Sequence, residues 1–241
     1  MPSTLSSPAP YRLADHVRAC HVDDQVILLD LRRSKYLGIG GPHLRAMSPA
    51  IRDWPAAAID AHAVEVSADV SPWVAKLLKQ GMLSPASAPT SKRTALEEPR
   101  ESLNAEMLPA PYPWSRLAGL CWAASASAYS LRYRSLENIA RDVSRWQCAA
   151  QASADQARTG KLLGAVAAYL RLRPFVFTAH DKCLFDSLTL MRFLASQGMA
   201  ASWVIGVRTR PFGAHSWVQS GPLVLNDLHE HVSGFTPILI V

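Results

Sequence analysis

Three side chains near the end of the chain could together perform nucleophilic chemistry: Cys183, His215 and Asp227. Apolar residues recur at helical spacing directly after the cysteine, and Gly198 stands where a C-terminal cap is expected. The pattern predicts that Cys183 lies in the first turn of a buried helix. Unpaired backbone N–H groups and the positive end of the helix dipole favour a thiolate over a thiol at that place.

The apolar runs that follow are predicted to form a strand and then a hairpin whose loop is residues 220–222. Counting outward from that loop, Gln219 faces Leu223 and His215 faces Asp227. Directly opposed residues have Cβ atoms about 4.5–5.5 Å apart, close enough for the carboxylate to hold the imidazole. A cysteine at a helix start, with a base and its orienting acid on neighbouring strands, is the arrangement of a cysteine hydrolase.

Each of these residues alone has a simpler explanation. A lone cysteine on an apolar helix is more often a small core residue, and Cys121 and Cys148 are interpreted in that way. Asp186 is interpreted as a partner of the helix dipole. The joint placement of nucleophile, base and acid favours catalysis, with the backbone N–H of Cys183 as the default oxyanion-hole donor.

The order of these residues, on a helix followed by antiparallel strands, resembles the papain and transglutaminase-like group. A closer resemblance, to the maturation protease (B protein) of lasso-peptide biosynthesis, covers roughly residues 110–241. It is carried by Cys183-Leu184, Val204-Ile205-Gly206-Val207-Arg208, Pro211-Phe212-Gly213-Ala214-His215-Ser216-Trp217-Val218 and Leu225-Asn226-Asp227. The resemblance implies that Cys183 is the nucleophile, His215 the general base and Asp227 the group that orients it.

The same resemblance implies a substrate and a partner. The substrate would be a ribosomally made precursor peptide, whose leader is removed to free the core peptide amino terminus. The partner would be an asparagine-synthetase-like cyclase that closes the lasso ring. The resemblance alone implies ATP-dependent cleavage. The chain has no Gly-x-x-x-x-Gly-Lys-Ser/Thr loop, so whether ATP binds this chain stays open. A transglutaminase-like acyltransferase and a non-catalytic adaptor that delivers the precursor are the alternative functions.

The beginning of the chain is predicted to be a small separate domain. Three short strands, the last at residues 35–39, precede helices that begin at Pro42, near residues 55–62 and near Ser71, the last of which ends at Gly81. This order resembles a winged-helix-like, PqqD-like peptide-recognition domain. In that family a leader peptide adds as a strand to the edge of the third strand and packs against the last helix, a mode in which an exposed strand edge supplies the hydrogen bonds.

The resemblance assigns leader contacts to one strand and one helix face. These residues are Lys35, Tyr36, Leu37, Gly38, Ile39, Trp73, Lys76, Leu77 and Gln80. For Leu37 and Leu77 a core position and a groove position are equally compatible with the sequence. Tyr36 and Trp73 could likewise be core residues.

The expected fold class is α+β, with a boundary on each side of a Pro-rich stretch. Residues 1–84 form the recognition domain, residues 85–113 form an extended linker, and residues 114–241 form a papain/transglutaminase-like domain with helices packed on an antiparallel sheet.

Composition, charge and residue spacing argue against nucleic-acid, membrane and metal binding. The net charge is +6, but the basic residues are scattered and no helix has a recognition face for DNA, so no nucleic-acid partner is expected. No signal peptide is visible, and the uncharged stretch at residues 117–131 is too short and polar to span a bilayer; a cytoplasmic protein without a membrane partner is expected. The cysteines and histidines have no ligand spacing that recommends a metal site, and His229 and His231 are assigned to a solvated loop.

Overall fold

The computed structural model describes residues 10–40, 43–44, 47, 50–52, 54–55, 70–86, 96–103, 114–151, 158–178 and 182–241. The chain divides into two compact units, residues 1–93 and 94–241. Both helices and sheets are present, so the expected α+β class is confirmed. The helix expected near residues 55–62 and much of the expected linker lie outside the described residues.

The first unit contains an antiparallel sheet in which the strands follow one another in sequence. Its strands are β2 (Val17–Val22), β3 (Gln25–Asp30) and β4 (Lys35–Gly40), in the order β2-β3-β4. The central strand is the most apolar, and Val26, Leu28 and Leu29 on it are completely buried. The strands predicted from the sequence are therefore confirmed here.

Three very short strands form a second sheet in this unit. They are β1 (Tyr11–Leu13), β5 (Ile51–Arg52) and β6 (Leu83–Pro85), with β1 in the centre, parallel to β5 and antiparallel to β6.

A helix, α1 (Val70–Lys79), precedes the last of these strands. It ends as predicted at Gly81, whose φ of +71° is a left-handed conformation. The N–H of Gly81 donates to the carbonyl of Leu78, and the N–H of Met82 donates to that of Leu77. This pairing satisfies carbonyls that the helix end would otherwise leave without donors.

Two of the residues assigned to leader contacts belong to the core of the first unit. Ile39 is 2% exposed and Leu77 is 0% exposed, and both lie in its main apolar cluster. For Leu77 the core alternative is therefore the one the structure shows. Lys35, Gly38 and Lys76 are exposed.

The remaining four assigned residues are partly buried: Tyr36, Leu37, Trp73 and Gln80. The Nζ atom of Lys76 lies 4.7 Å from the centre of the Trp73 ring, a cation–π contact. Strand β4 is at the edge of its sheet, and within the described part of the chain no strand pairs with its outer side. The PqqD-like, winged-helix-like character of this unit stays a prediction.

A run of helices precedes most of the strands of the second unit. They are α2 (Leu117–Tyr133), preceded by a 3-10 turn at Trp114–Arg116, α3 (Leu136–Gln151), α4 (Arg158–Val176) and α5 (Cys183–Ala195). Among the described helices, none has the length and apolar character needed to cross a membrane.

A five-stranded sheet completes the second unit. Its strands are β7 (Glu101–Ser102), β8 (Ser202–Thr209), β9 (Phe212–Ser220), β10 (Leu223–Val224) and β11 (Thr236–Ile240), in the order β11-β8-β9-β10-β7. A short helix, α6 (His229–Val232), lies between β10 and β11 in the chain. Helix α5 packs against β9, so the two elements that carry the predicted nucleophile and base touch each other.

Part of the expected linker is a component of this sheet. Residues 96–103 belong to the second unit, and β7 pairs in parallel with β10. The N–H of Leu103 donates to the carbonyl of Val224 over 2.9 Å, and the side chain of Gln219 donates to the carbonyl of Glu97 over 2.7 Å. Backbone pairing of this kind requires no apolar pattern, which is why the Pro-rich and charged composition indicated a linker instead.

Candidate active site

Cys183 is the first residue of helix α5, as predicted. The helix is anchored by completely buried side chains on its inner face, including Leu188, Leu190 and Leu194. The sulfur is partly accessible and receives hydrogen bonds from the backbone N–H groups of Leu184 and Ser216. Its hydrogen bond with the His215 side chain has the largest effect and, with these N–H groups, lowers the pKa of Cys183 although burial opposes the shift.

His215 lies on β9 and is held against aromatic rings. Its ring is nearly parallel to that of Trp217, with centroids 6.2 Å apart, and lies 5.2 Å from the centroid of Phe235. The residue opposite it on β8 is Gly206. A Cβ atom at that glycine would lie 2.8 Å from the Trp217 ring and 2.9 Å from Phe235, so the close packing of these rings requires glycine there.

Asp227 holds the imidazole from the other side. The Nε2 atom of His215 lies 2.5 Å from Oδ2 of Asp227. Burial raises the pKa of Asp227, but hydrogen bonds from His215, the Leu228 N–H and His231 outweigh it and hold the pKa below its ordinary value. Because a carboxylate only accepts, Nε2 carries a proton and Nδ1 is the nitrogen left for Cys183.

The pKa of His215 results from opposing effects. Burial lowers it, but the hydrogen bonds with Asp227 and Cys183 more than offset burial and raise the pKa to about 9. A thiol of lowered pKa beside an imidazole of raised pKa favours a thiolate–imidazolium pair at neutral pH.

The hairpin that was expected to align His215 with Asp227 has a different register. Ser220 pairs with Leu223 and Gln219 pairs with Val224, so the loop is two residues long, and the predicted pairing of Gln219 with Leu223 was wrong by one residue. The loop residue Gly221 has a φ of +57°, which allows this tight turn. Strand β10 ends at Val224, and Asp227 reaches His215 from outside the ladder through its side chain.

His231 is a further neighbour of Asp227 that sequence reasoning placed on a solvated loop. It lies on α6, about half exposed, and its Nδ1 is 3.2 Å and 3.3 Å from the two carboxylate oxygens. Its ring centroid is 4.6 Å from that of His215. His231 follows Asp227 by four residues, about one helical turn, and this spacing brings its ring to the carboxylate. Helix α6 is too short for an apolar pattern to reveal it in the sequence.

Asp186 has a role that the sequence did not reveal. It lies in the first turn of α5, as expected for a partner of the helix dipole, but its side chain is buried, with 3% of the residue exposed. Its carboxylate accepts hydrogen bonds from Tyr169 Oη at 2.8 Å, from Arg173 at 3.1 Å and from the side-chain amide of Asn226 at 2.8 Å. Since Asn226 directly precedes Asp227, this carboxylate ties the segment that carries the orienting acid to α5 and α4.

A second buried polar group fixes α5 against β9. The hydroxyls of Ser187, one turn after the cysteine, and Ser216, next to His215, lie 2.8 Å apart. Ser187 also accepts the indole N–H of Trp203 over 3.0 Å, and Ser216 donates to the carbonyl of Val204 over 2.9 Å. These bonds set the separation of the two elements beside the candidate nucleophile and base.

The other helical cysteines do not lie in the core. Cys121 on α2 and Cys148 on α3 are exposed, so their interpretation as core thiols was wrong. Neither is near the candidate site in the contacts that the structure describes.

Residues 123–240, just under half of the chain, match the family model of the transglutaminase-like superfamily. The second unit therefore contains a transglutaminase-like domain, and this domain includes Cys183, His215 and Asp227. Over 45 residues the chain is 53% identical to the microcin J25-processing protein McjB of Escherichia coli. That stretch is 19% of this chain and 22% of McjB, so the similarity spans about a fifth of the relative's length. No solved structure matches the chain.

Proposed function

We propose that this protein is a cysteine endopeptidase that removes the leader from a ribosomally made lasso-peptide precursor. The observation that carries the proposal is the line of contacts from Cys183 through His215 to Asp227 at the start of a buried helix. The transglutaminase-like domain supports thiol chemistry on an acyl group. The similarity to McjB, which is named for processing microcin J25, supports the substrate class.

In the first step the Cys183 thiolate attacks the scissile carbonyl and a C–S bond forms. The Nδ1 proton of His215 passes to the amide nitrogen, the C–N bond breaks, and the core peptide leaves with a free amino terminus. The leader remains on Cys183 as a thioester. Asp227 keeps the ring oriented and stabilises its protonated form throughout.

In the second step water releases the leader. His215 accepts a proton from the water at Nδ1 while the hydroxyl attacks the thioester carbonyl. The C–S bond breaks, the leader leaves with a carboxylate, and the thiolate–imidazolium pair is restored. Nothing beyond water is consumed.

The first unit is proposed to hold the leader. An extended peptide that pairs with the outer edge of β4 would gain backbone hydrogen bonds there. Lys76 and Trp73 on α1 would form the adjacent wall, while Ile39 would contribute its backbone because its side chain is buried. Having recognition and catalysis on one chain raises the effective substrate concentration, so the active site itself needs little selectivity.

A binding assay with a fluorescent leader peptide tests this part separately. Lys76→Glu is expected to weaken binding several-fold. Lys79→Glu, an equally exposed charge reversal on the same helix, is the matched control. Equal effects of the two changes would show that net charge, and not this wall, attracts the leader.

A transglutaminase-like acyltransferase is the second candidate, because the family match covers the whole candidate site. The acyl-enzyme would be the same, but an amine would accept the leader in place of water. The mass of the leader product distinguishes a new amide from a carboxylic acid.

The decisive experiment is mass spectrometry of a cognate precursor incubated with the full chain. The reaction is run with and without ATP and an asparagine-synthetase-like cyclase, in a reducing buffer suited to the expected cytoplasmic location. We expect one cut with wild type and none with Cys183→Ala. Cys148→Ser is the matched control, since that thiol is exposed and distant from the site contacts, and it should cut normally. Leader binding without a cut by any variant would leave a non-catalytic adaptor.

A further inference from the structure

Three potential metal ligands meet around the Nε2 atom of His215. His215, Asp227 and His231 each offer one ligand atom, and these atoms all lie within 4.8 Å of one another. Nδ1 of His231 is 3.2 Å from Asp227 Oδ1, and Nε2 of His215 is 2.5 Å from Oδ2. Among the described residues, these three form the group of His, Cys, Asp or Glu side chains whose ligand atoms lie this close together.

The two separations from the Asp227 carboxylate are close to those that a four-coordinate ion needs. Metal–ligand bonds of 2.0–2.2 Å place neighbouring ligands of a tetrahedral ion about 3.3 Å apart. The His231 nitrogen is already at that distance from the carboxylate. The His215 nitrogen would have to withdraw by less than about 1 Å, which small side-chain rotations supply.

The donor set and its surroundings suit a zinc-like ion. Two imidazoles and one carboxylate are the ligands of many zinc sites that keep an open position for water. The side chain of His231 is 49% exposed and those of His215 and Asp227 are 13% and 22% exposed. An ion can therefore enter from the His231 side, and water can complete its coordination.

The nearest alternative ligand is engaged elsewhere. His229, on the same short helix, has its Nδ1 atom 3.0 Å from the Ser102 hydroxyl and 3.1 Å from Glu230. The Cys183 sulfur is not among the ligand atoms that lie within 4.8 Å of one another, so it is not placed to share the ion.

We propose that His215, Asp227 and His231 form a reversible binding site for one Zn²⁺ ion or a similar divalent transition-metal ion. Binding there replaces the hydrogen bond between His215 and Asp227 with two metal bonds. The site exists independently of the proposed peptidase activity, since Cys183 is not a ligand.

The consequence for catalysis does rest on the proposed function. An imidazole bound to a cation through Nε2 keeps its proton on Nδ1, and losing that proton would leave an imidazolate. His215 would then donate to the departing amine far less readily, and cleavage would slow. A zinc-loaded protein is thus expected to be an inhibited form of the enzyme.

Metal binding is best measured in the full chain carrying Cys183→Ala, which removes the thiol as a competing ligand. Co²⁺ is the probe, followed by its visible d–d absorption, and Zn²⁺ is then added to displace it. The ion must displace the Nε2 proton of His215, so all variants are compared at one pH, about 8, and binding should tighten as the pH is raised. We expect one ion per chain, and about tenfold or greater weakening when His231→Asn is added. Asparagine preserves a hydrogen-bond donor to Asp227 and removes the imidazole ligand.

His229→Asn in the same background is the matched control and should bind the ion like its parent. Unchanged affinity in His231→Asn would overturn the proposal, as would equal loss in the two histidine variants. Binding by wild type that disappears in Cys183→Ala alone would also overturn it, because the ion would then sit on the thiolate. None of these metal-binding measurements depends on cleavage, so they test the proposed site even if no peptidase activity is found.

Discussion

The chemistry of the candidate site depends on hydrogen bonds whose effect on the pKa of His215 is opposite to that of burial. Burial alone would lower the pKa of His215, yet Asp227 and Cys183 raise it to about 9. The types and order of these residues could be predicted from the sequence, because a cysteine at a helix start and a histidine on a following strand are local patterns. The accompanying hydrogen bonds to the sulfur come from Leu184 and from Ser216 on another element, and only the fold reveals the second of them.

Alkylation should detect the lowered pKa of Cys183 without any substrate. Cys121→Ser and Cys148→Ser first remove the exposed thiols. The rate with iodoacetamide follows the thiolate fraction and rises with pH through the pKa of Cys183. We expect its midpoint below the ordinary value of 9.0, and a shift to higher pH in His215→Ala. The label is located on the peptide that contains Cys183 by mass spectrometry; an identical midpoint in both proteins would contradict the ion pair.

The pH profile of cleavage should fall on its alkaline side. The imidazolium of His215 is present below its pKa and is lost as the pH rises through about 9. We therefore expect kcat/KM to decline above about pH 9, and in Asp227→Asn the decline should begin at lower pH, because the hydrogen bond that raises the pKa is weakened. Initial rates of cleavage of a cognate precursor, measured across this pH range for both proteins, give the pH at which each decline begins. If kcat/KM declines at the same pH in Asp227→Asn as in wild type, a group other than His215 is responsible for the decline.

At the scale of elements, the site depends on how α5 meets β9 and the segment after β10. Asp186 links α4, α5 and Asn226, and the Ser187–Ser216 pair links α5 to β9. The sequence predicted α5, β8 and β9 because each has its own periodic apolar pattern. It could not predict these contacts, since their partners are separated by long stretches of chain.

Asp186→Ala should strongly destabilise the second unit. The change leaves the Arg173 charge and the Asn226 amide without their buried acceptor, while the Tyr169 hydroxyl keeps the backbone carbonyl of residue 186. Removing one partner of such a pair costs about 3–5 kcal/mol. Because Arg173 is 24% exposed, the low end of that range is expected. Urea unfolding measures the loss, and Glu137→Ala, which breaks a surface pair with Arg141, should cost less than about 1 kcal/mol. Similar losses would contradict the role of Asp186.

Gly206→Ala should disturb both stability and the position of His215. A Cβ there would meet the Trp217 ring at 2.8 Å and Phe235 at 2.9 Å, and such overpacking costs about 1–3 kcal/mol. These rings support the imidazole, so alkylation of Cys183 should slow as well. Gly119→Ala on α2 is the control, because nothing lies within 4 Å of its added methyl group and helix propensity favours the change. A normal rate of Cys183 alkylation in Gly206→Ala would show that the packing of these rings does not position His215.

For the whole molecule, composition predicted a division of the chain but not its boundary. The proline-rich stretch suggested that the second domain begins at residue 114, whereas the compact unit begins at residue 94. The missing signal is β7, a strand of two residues held by backbone hydrogen bonds. Such a strand is too short for any alternating pattern to appear in the sequence.

Two truncated chains test this boundary. A protein of residues 94–241 should unfold cooperatively in urea, with a stability close to that of the second unit in the full chain. A protein of residues 114–241 lacks β7 and the hydrogen bonds to Glu97 and Leu103, and should lose about 2 kcal/mol or more, at roughly 1 kcal/mol for each hydrogen bond. Circular dichroism follows both transitions. Equal midpoints would show that residues 96–103 contribute nothing to the sheet.

The position of Asp227 outside the strand ladder has a consequence for evolution. A residue inside a ladder cannot shift by one place without turning its side chain to the opposite face. Asp227 follows β10 and is held instead by its contacts with His215, Leu228 and His231. Insertions or deletions between β10 and α6 could therefore change the spacing of the histidine and the acid while their contact survives. Homologues should vary in this spacing, and a search pattern that demands twelve residues from one to the other would miss true relatives.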